Sequence, residues 1–253
     1  MKAIDINADL GEGFGPWRMG DDEAMLPVVS SANIACGFHA GDPGIIRRIT
    51  ARAAGLGVAL GAHPSLPDLV GFGRRAMAVT PEQAHDMVLY QVAAVAAFAR
   101  LAGSTLRHVK PHGALYNMAA VDLSLASAIA DAVRDFDPRL MLYGLAGSRL
   151  LEAGRQAGLT VVSEVFADRG YRADGTLVHR AEPGALLHDP ELVSARAVAM
   201  VRDGGVASVE GVWVPLDVET ICVHGDSPGA VGLATALRAA LVSAGFAVLA
   251  PGA

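Results

Sequence analysis

A chain of 253 residues, 52% hydrophobic and 18% charged, holds enough apolar material for one large core of α/β-barrel size. Its 26 acidic against 20 basic side chains give a net charge of -6, which excludes the concentrated basic surface that nucleic-acid binding needs. No stretch reaches the roughly 20 uninterrupted apolar residues of a membrane span, and Met1–Asp9 is too polar for the apolar core of a signal peptide, so a cytoplasmic protein is expected.

Strand-like and helix-like segments alternate along the chain. Ala3–Asp9 reads as the first strand and Ser31–Cys36 as the second, followed by a helix over Pro43–Ala54. Gly57–Ala62 is the third strand, before a helix over Pro81–Leu101. Leu106–Lys110 comes next, then a helix over Leu123–Phe136, the strand Leu140–Leu145 and a helix over Ser148–Ala157. Thr160–Glu164, a helix over Pro190–Arg202, the strand Val218–Val223 and a helix over Pro228–Ala244 complete the series. Thr80-Pro81-Glu82-Gln83 carries a capping box with Pro at the first helical position, and Asp42-Pro43 and Asp189-Pro190 repeat the cap-then-proline signal. Gly55, Gly103, Gly158 and Gly245 stand where left-handed helix stops are wanted.

Near-continuous apolar strands separated by helices predict a parallel sheet covered by helices. The first strand argues for closure. Asp5, Asn7 and Asp9 alternate with Ile4, Ile6 and Ala8, so three polar side chains share one face. An open sheet would press that face onto apolar helices, whereas a barrel turns it into the lumen. The expectation is a single domain over residues 1–253, a distorted seven-stranded (β/α) barrel of the TIM-barrel-like class. The alternative is an eight-stranded barrel, with extra strands hidden in 166–190 or 206–215. Cys36 and Cys222 lack metal-type spacing and read as small buried hydrophobes.

Active sites of β/α barrels form where strands run into helices. Six of the seven strand ends here carry polar, mostly ionisable groups: Asn7, Asp9 and Glu12; His39 and Asp42; His63; Lys110, His112 and Tyr116; Glu164, Asp168 and Arg169; and His224. One such residue is unremarkable, and Asp42 reads as a helix cap. A ring of them in one register is costly to bury unless the members serve each other or a ligand. His85, His179 and His188 lie in helix or loop contexts and read as surface residues.

Asp9, His39 and His63 supply a carboxylate and two imidazoles, a set that holds a divalent metal such as Mg²⁺, Mn²⁺, Zn²⁺ or Co²⁺, or activates water without one. Lys110 and Arg169 are cations suited to a substrate carboxylate, a phosphate or an oxyanion. His112 and Glu164 are candidate proton donors, and Asn7, Glu12, Tyr116, Asp168 and His224 candidate substrate contacts. The chain has no Gly-Lys-Ser or Gly-Lys-Thr phosphate loop, and Gly11-Glu12-Gly13-Phe14-Gly15 is a weak substitute. Hydrolysis at a carbonyl fits this mixture better than redox chemistry.

The motifs Asp5-Ile6-Asn7-Ala8-Asp9-Leu10-Gly11-Glu12, Ser31-Ala32-Asn33-Ile34-Ala35-Cys36-Gly37-Phe38-His39-Ala40-Gly41-Asp42, Gly61-Ala62-His63-Pro64-Ser65, Val109-Lys110-Pro111-His112-Gly113-Ala114-Leu115-Tyr116-Asn117 and Phe166-Ala167-Asp168-Arg169-Gly170-Tyr171 resemble the LamB/YcsF family. The resemblance runs from Asp5 to about Asp226. It implies a seven-stranded barrel related to polysaccharide deacetylases. It also implies cleavage of 5-oxo-L-proline to L-glutamate with ATP hydrolysis, as the A subunit working with separate B and C subunits of a 5-oxoprolinase. Two other readings of the residues stay open: a metal-dependent amidase or deacetylase acting without ATP, and a non-catalytic sensor of a small ligand.

Overall fold

The computed structural model describes residues 2–179, 181–223, 225 and 229–252. Seven parallel strands form a closed ring: β1 (Ala3–Leu10), β2 (Ser31–Ala35), β3 (Ala59–His63), β4 (Leu106–Val109), β5 (Met141–Leu145), β6 (Val161–Phe166) and, after a detour, β9 (Thr220–Val223). Closure is made by β9, which pairs with β6 through Glu164–Thr220 and with β1 through Asp5–Thr220. The barrel is therefore the seven-stranded form. The segment read as a possible eighth strand holds instead a small antiparallel pair, β7 (Gly205–Ala207) and β8 (Trp213–Pro215), hydrogen-bonded only to each other. A two-residue strand, β10 (Ala247–Val248), pairs with the beginning of β1.

Eight helices are described: α1 (Asp22–Met25), α2 (Pro43–Gly55), α3 (Pro81–Leu101), α4 (Gly113–Ala119), α5 (Leu123–Phe136), α6 (Arg149–Gln156), α7 (Pro190–Asp203) and α8 (Ala230–Ser243). Their starts follow the local chemistry. Asp42, Asp189 and Ser148 cap α2, α7 and α6, and the Thr80–Gln83 capping box closes in both directions on α3. Gly55 is the last residue of α2, and the left-handed stop falls two residues later, on Gly57 at φ 72°. Among the described residues no single helix is long and apolar enough to cross a membrane.

Outward strand residues such as Ile4, Ile6, Ile34, Leu60 and Val165 pack under the helices. The inward residues are polar, as the alternation in β1 requires. Asp5 accepts hydrogen bonds from Ser30, Ser31, Thr220 and Tyr143 at 2.6–3.2 Å. Above this layer Asn33 donates to Asn7 (2.7 Å), and His108 contacts Asn33 (2.7 Å) while stacking on Tyr143. Room for the His108 ring exists because its neighbour across β3 is Gly61. A methyl group on Gly61 would overlap that imidazole. Gly61→Ala should therefore destabilise the fold by about 1–3 kcal/mol, as overpacking of a closed core does. Urea unfolding measures it, and a midpoint equal to that of the parent chain would refute the packing.

Candidate active site

The strand ends converge on one buried cluster whose centre is Lys110, just past β4. Its ammonium lies 3.0 Å from Asp9 Oδ1 and 2.8 Å from Glu164 Oε1, with Asn7 Oδ1 and Cys222 Sγ each at 3.1 Å. Burial opposes the charge, but Asp9, Cys222 and Glu164 together outweigh it and raise the Lys110 pKa well above its ordinary value. Burial likewise works to raise Asp9, yet His63 and Lys110 hold its carboxyl well below the usual range. Glu164 takes further hydrogen bonds from Asn7 Nδ2 (2.9 Å) and Tyr116 Oη (2.7 Å). Tyr116 reaches it from α4, a helix that starts immediately after the β4 loop.

Lys110 is thus an internal counter-ion for two carboxylates rather than a cation offered to substrate. Cys222, which reads from sequence as an inert hydrophobe, accepts one of its hydrogen bonds. Cys36 fits that reading, with its thiol donating to the Ile34 carbonyl and burial raising its pKa.

Beside this network stand three imidazoles. His63 Nδ1 is 2.7 Å from the Lys110 carbonyl, and His112 Nε2 is 2.9 Å from the Phe72 carbonyl. A carbonyl only accepts, so both of these nitrogens carry hydrogen. The opposite nitrogens, His63 Nε2 and His112 Nδ1, face each other at 3.0 Å. Asp9 Oδ2 lies 3.3 Å from His63 Nε2, and Glu12 Oε1 lies 3.4 Å from both His112 Nδ1 and His39 Nε2. His39 stacks face to face on His112, with ring centres 3.9 Å apart. Burial lowers the pKa of His39 and His112 well below the ordinary value, which keeps both neutral. Glu12, His39, His63 and His112 form a fully buried group with ligand atoms within 4.8 Å of one another, and it can hold a metal ion.

A cavity of about 520 Å³ opens over the cluster. Of the residues singled out in the sequence, Asp9, His63, Lys110, His112, Tyr116 and Arg169 line it. Asn7, Glu12, His39, Glu164 and Asp168 lie outside its lining, and His224 lies outside the described residues. Arg169 donates to the Val178 and Ala185 carbonyls, and the first of these bonds anchors the stretch Thr176, Leu177, Val178 and His179 that lines the cavity. His179 is exposed, as its loop context suggests, but it also forms part of this rim.

One wall is invisible in the strand-end pattern. The loop after β3 brings Arg74 to the cavity, over the Phe72 ring at 5.0 Å. Phe72 has φ 54°, a left-handed conformation rare outside glycine, and its carbonyl is the one that holds His112. The available signal is Gly71-Phe72-Gly73, flanked by residues that fit neither strand nor helix.

The buried charges set two expectations. Lys110→Met would leave Asp9 and Glu164 facing each other without a cation, so a loss of about 3–5 kcal/mol is expected from denaturant unfolding. Adding Glu164→Gln should recover part of it, and no recovery would contradict the ion pairing. Burial, with Lys110 nearby, pushes His108 down to about 3, whereas an unfolded histidine titrates near 6.5. Between those values the unfolded chain binds the extra proton, so stability falls as pH drops below about 6.5, by up to ~1.4 kcal/mol per pH unit from this residue. His108→Gln should make the pH dependence of unfolding shallower, and an unchanged slope would refute a neutral His108.

Comparison with known proteins agrees with this architecture. The model of the LamB/YcsF family matches residues 4–252. A protein of Tolumonas auensis, named as the A subunit of 5-oxoprolinase, is 58% identical over 98% of this chain and 99% of its own length. The crystal structure of a lactam utilization protein from Thermus thermophilus superposes with a TM-score of 0.94 at 48% identity, covering 99% of this chain and 100% of that one. A deacetylase solved with substrate shares the fold alone, with 13% identity, a TM-score of 0.50 and coverage of 98% and 87% of the two chains.

Proposed function

The chain belongs to the LamB/YcsF family, and from that premise we propose that its barrel-mouth site opens the ring of 5-oxo-L-proline to give L-glutamate. The reaction is coupled to ATP and runs in a complex with two further subunits, B and C. The observation that carries this reading is the face of Asp9, His63 and His112 turned to a cavity that admits a small anion. It is joined by the name of relatives more than half identical over nearly the full length.

A five-membered lactam is a poor electrophile. Transfer of the ATP γ-phosphoryl group to the amide oxygen turns C–O into a bond that can later break to release phosphate. Water then adds to the activated carbon, its proton passing to the Asp9/His63 pair. The C–N bond breaks as that proton passes from the Asp9/His63 pair to the ring nitrogen, since His112 is neutral and its one N–H is held by the Phe72 carbonyl. A second water attacks the acyl carbon of the ring-opened acyl phosphate, and the C–O bond breaks to release phosphate carrying the former amide oxygen. Glu164 is no better suited as donor, since it lies outside the cavity lining and both of its oxygens already accept hydrogen bonds. The substrate carboxylate falls to Arg74 and Arg169 at the cavity wall rather than to Lys110. A divalent ion held by the buried Glu/His group would supply Lewis acidity and lower the pKa of a bound water.

With no Walker-type loop in the sequence, phosphorylation is assigned to the partner subunits. Mixing the chain with candidate B and C subunits, ATP and 5-oxoproline should yield glutamate, and omitting any component should abolish it. Asp9→Asn in the assembled complex should lower turnover by about 10²–10⁴-fold, the range of positioned acid–base catalysis. Full turnover by Asp9→Asn would sink the assignment of the water-activating pair. Amidase activity of the chain alone, independent of ATP, would favour the deacetylase-like alternative.

A further inference from the structure

Two features of the histidine cluster separate its members. The first is the anchoring of the outer nitrogens. His63 and His112 each donate their outer N–H to a backbone carbonyl, at 2.7 and 2.9 Å, which fixes both tautomers and turns a lone pair from each ring inward. Such an outer-shell hydrogen bond is what a metal-binding imidazole regularly makes. His39 is equally buried, but neither of its ring nitrogens makes a hydrogen bond among the described residues.

The second feature is the orientation of the ring planes. An imidazole lone pair lies in the plane of its ring, so a bound ion must lie near that plane. The His63 and His112 rings are almost perpendicular, at 85°, with their inner nitrogens 3.0 Å apart, so their two planes can share one ion. The His39 and His112 rings are nearly parallel, at 7°, with centres 3.9 Å apart, so one ion cannot lie in both planes.

We propose that His63 Nε2, His112 Nδ1 and Glu12 Oε1 are the protein ligands of a divalent transition-metal centre of the Zn²⁺ type, with His39 as the wall behind His112. The set replaces the Asp9, His39 and His63 trio that sequence order suggests. His63 Nε2 to His112 Nδ1 is 3.0 Å and His112 Nδ1 to Glu12 Oε1 is 3.4 Å, near the ~3.3 Å edge of a tetrahedron with metal–ligand bonds of about 2.0–2.1 Å. Two histidines and one glutamate leave a fourth position open, the pattern of a catalytic rather than a structural site. That position faces the cavity, because His63 and His112 both line it. Asp9 stands beside it: its Oδ1 is held by Asn33 and Lys110, while its Oδ2 lies 3.3 Å from His63 Nε2.

The competing way to reconcile two facing lone pairs is a proton on His63, which would bridge His63 and His112 with no metal. Titration of the chelator-stripped full-length chain with Co²⁺, followed by visible absorption and by metal analysis after desalting, separates the two. About one equivalent of Co²⁺ with ligand-field bands of four- or five-coordination is expected. His112→Gln and Glu12→Gln should each weaken binding by more than about 100-fold, and His39→Phe, which keeps the stack, by less than about 10-fold. Circular dichroism identifies any variant that fails to fold, and the parent chain's own titration decides the question without variants. No retained Co²⁺ or Zn²⁺ in the parent chain would overturn the centre. Loss of binding in folded His39→Phe, with retention in His112→Gln, would overturn the ligand set. None of these readouts uses 5-oxoproline, so failure of the lactam reading leaves the result intact.

Discussion

The ammonium of Lys110, enclosed in the barrel between Asp9 and Glu164, is the constraint from which the rest of the site follows. Two carboxylates this deep would be prohibitively costly without a cation between them, and a buried lysine would lose its proton without them. Each charge therefore requires the others. The requirement extends outward, because Asn7, Asn33 and Tyr116 fill the remaining hydrogen-bonding positions of the same oxygens. This is why the polar face of β1 must close into a lumen: only a ring brings β1, β4, β6 and β9 within reach of one ammonium.

The same lysine links the rigid lower network to the face that meets the cavity. Its side chain binds Asp9 Oδ1, while its backbone carbonyl takes the N–H of His63. One residue thus positions the carboxylate and orients the imidazole beside it. The loop after β3 performs the matching task for His112 through the Phe72 carbonyl, at the cost of a left-handed Phe72. That strain sits next to the chemistry, where a fixed ring orientation has most value. The site consequently has two layers, a saturated ion-pair network below and a set of inward-pointing acceptors above.

Much of this is legible in the sequence, and the reasons differ from residue to residue. The alternation of Asp5, Asn7 and Asp9 with aliphatic residues announces a closed barrel, because no open sheet tolerates it. The helix caps at Asp42, Thr80 and Asp189 are legible because capping is a local interaction. The pairing of His112 with His63 is not, since it depends on how two strand-end loops cross in space. Lys110 belongs to the ring on sequence grounds, yet its partners stay hidden: nothing local distinguishes a cation offered to substrate from one consumed by Asp9 and Glu164. Arg74 and Phe72 lie about ten residues beyond β3, outside the strand-end register that marks the other site residues. The segment 206–215 carries real strand propensity, but its hydrogen bonds go to an antiparallel partner outside the barrel.

In the proposed reaction, water attacks carbon after the amide oxygen of the lactam has been phosphorylated. Incubating 5-oxoproline labelled with ¹⁸O at the ring carbonyl with the assembled complex and ATP, then locating the label by mass spectrometry, tests this directly. The label is expected to leave with inorganic phosphate while unlabelled water oxygen enters the new carboxylate of glutamate. Label retained wholly in glutamate, with none in phosphate, would contradict attack of water on the acyl carbon with loss of the phosphorylated oxygen.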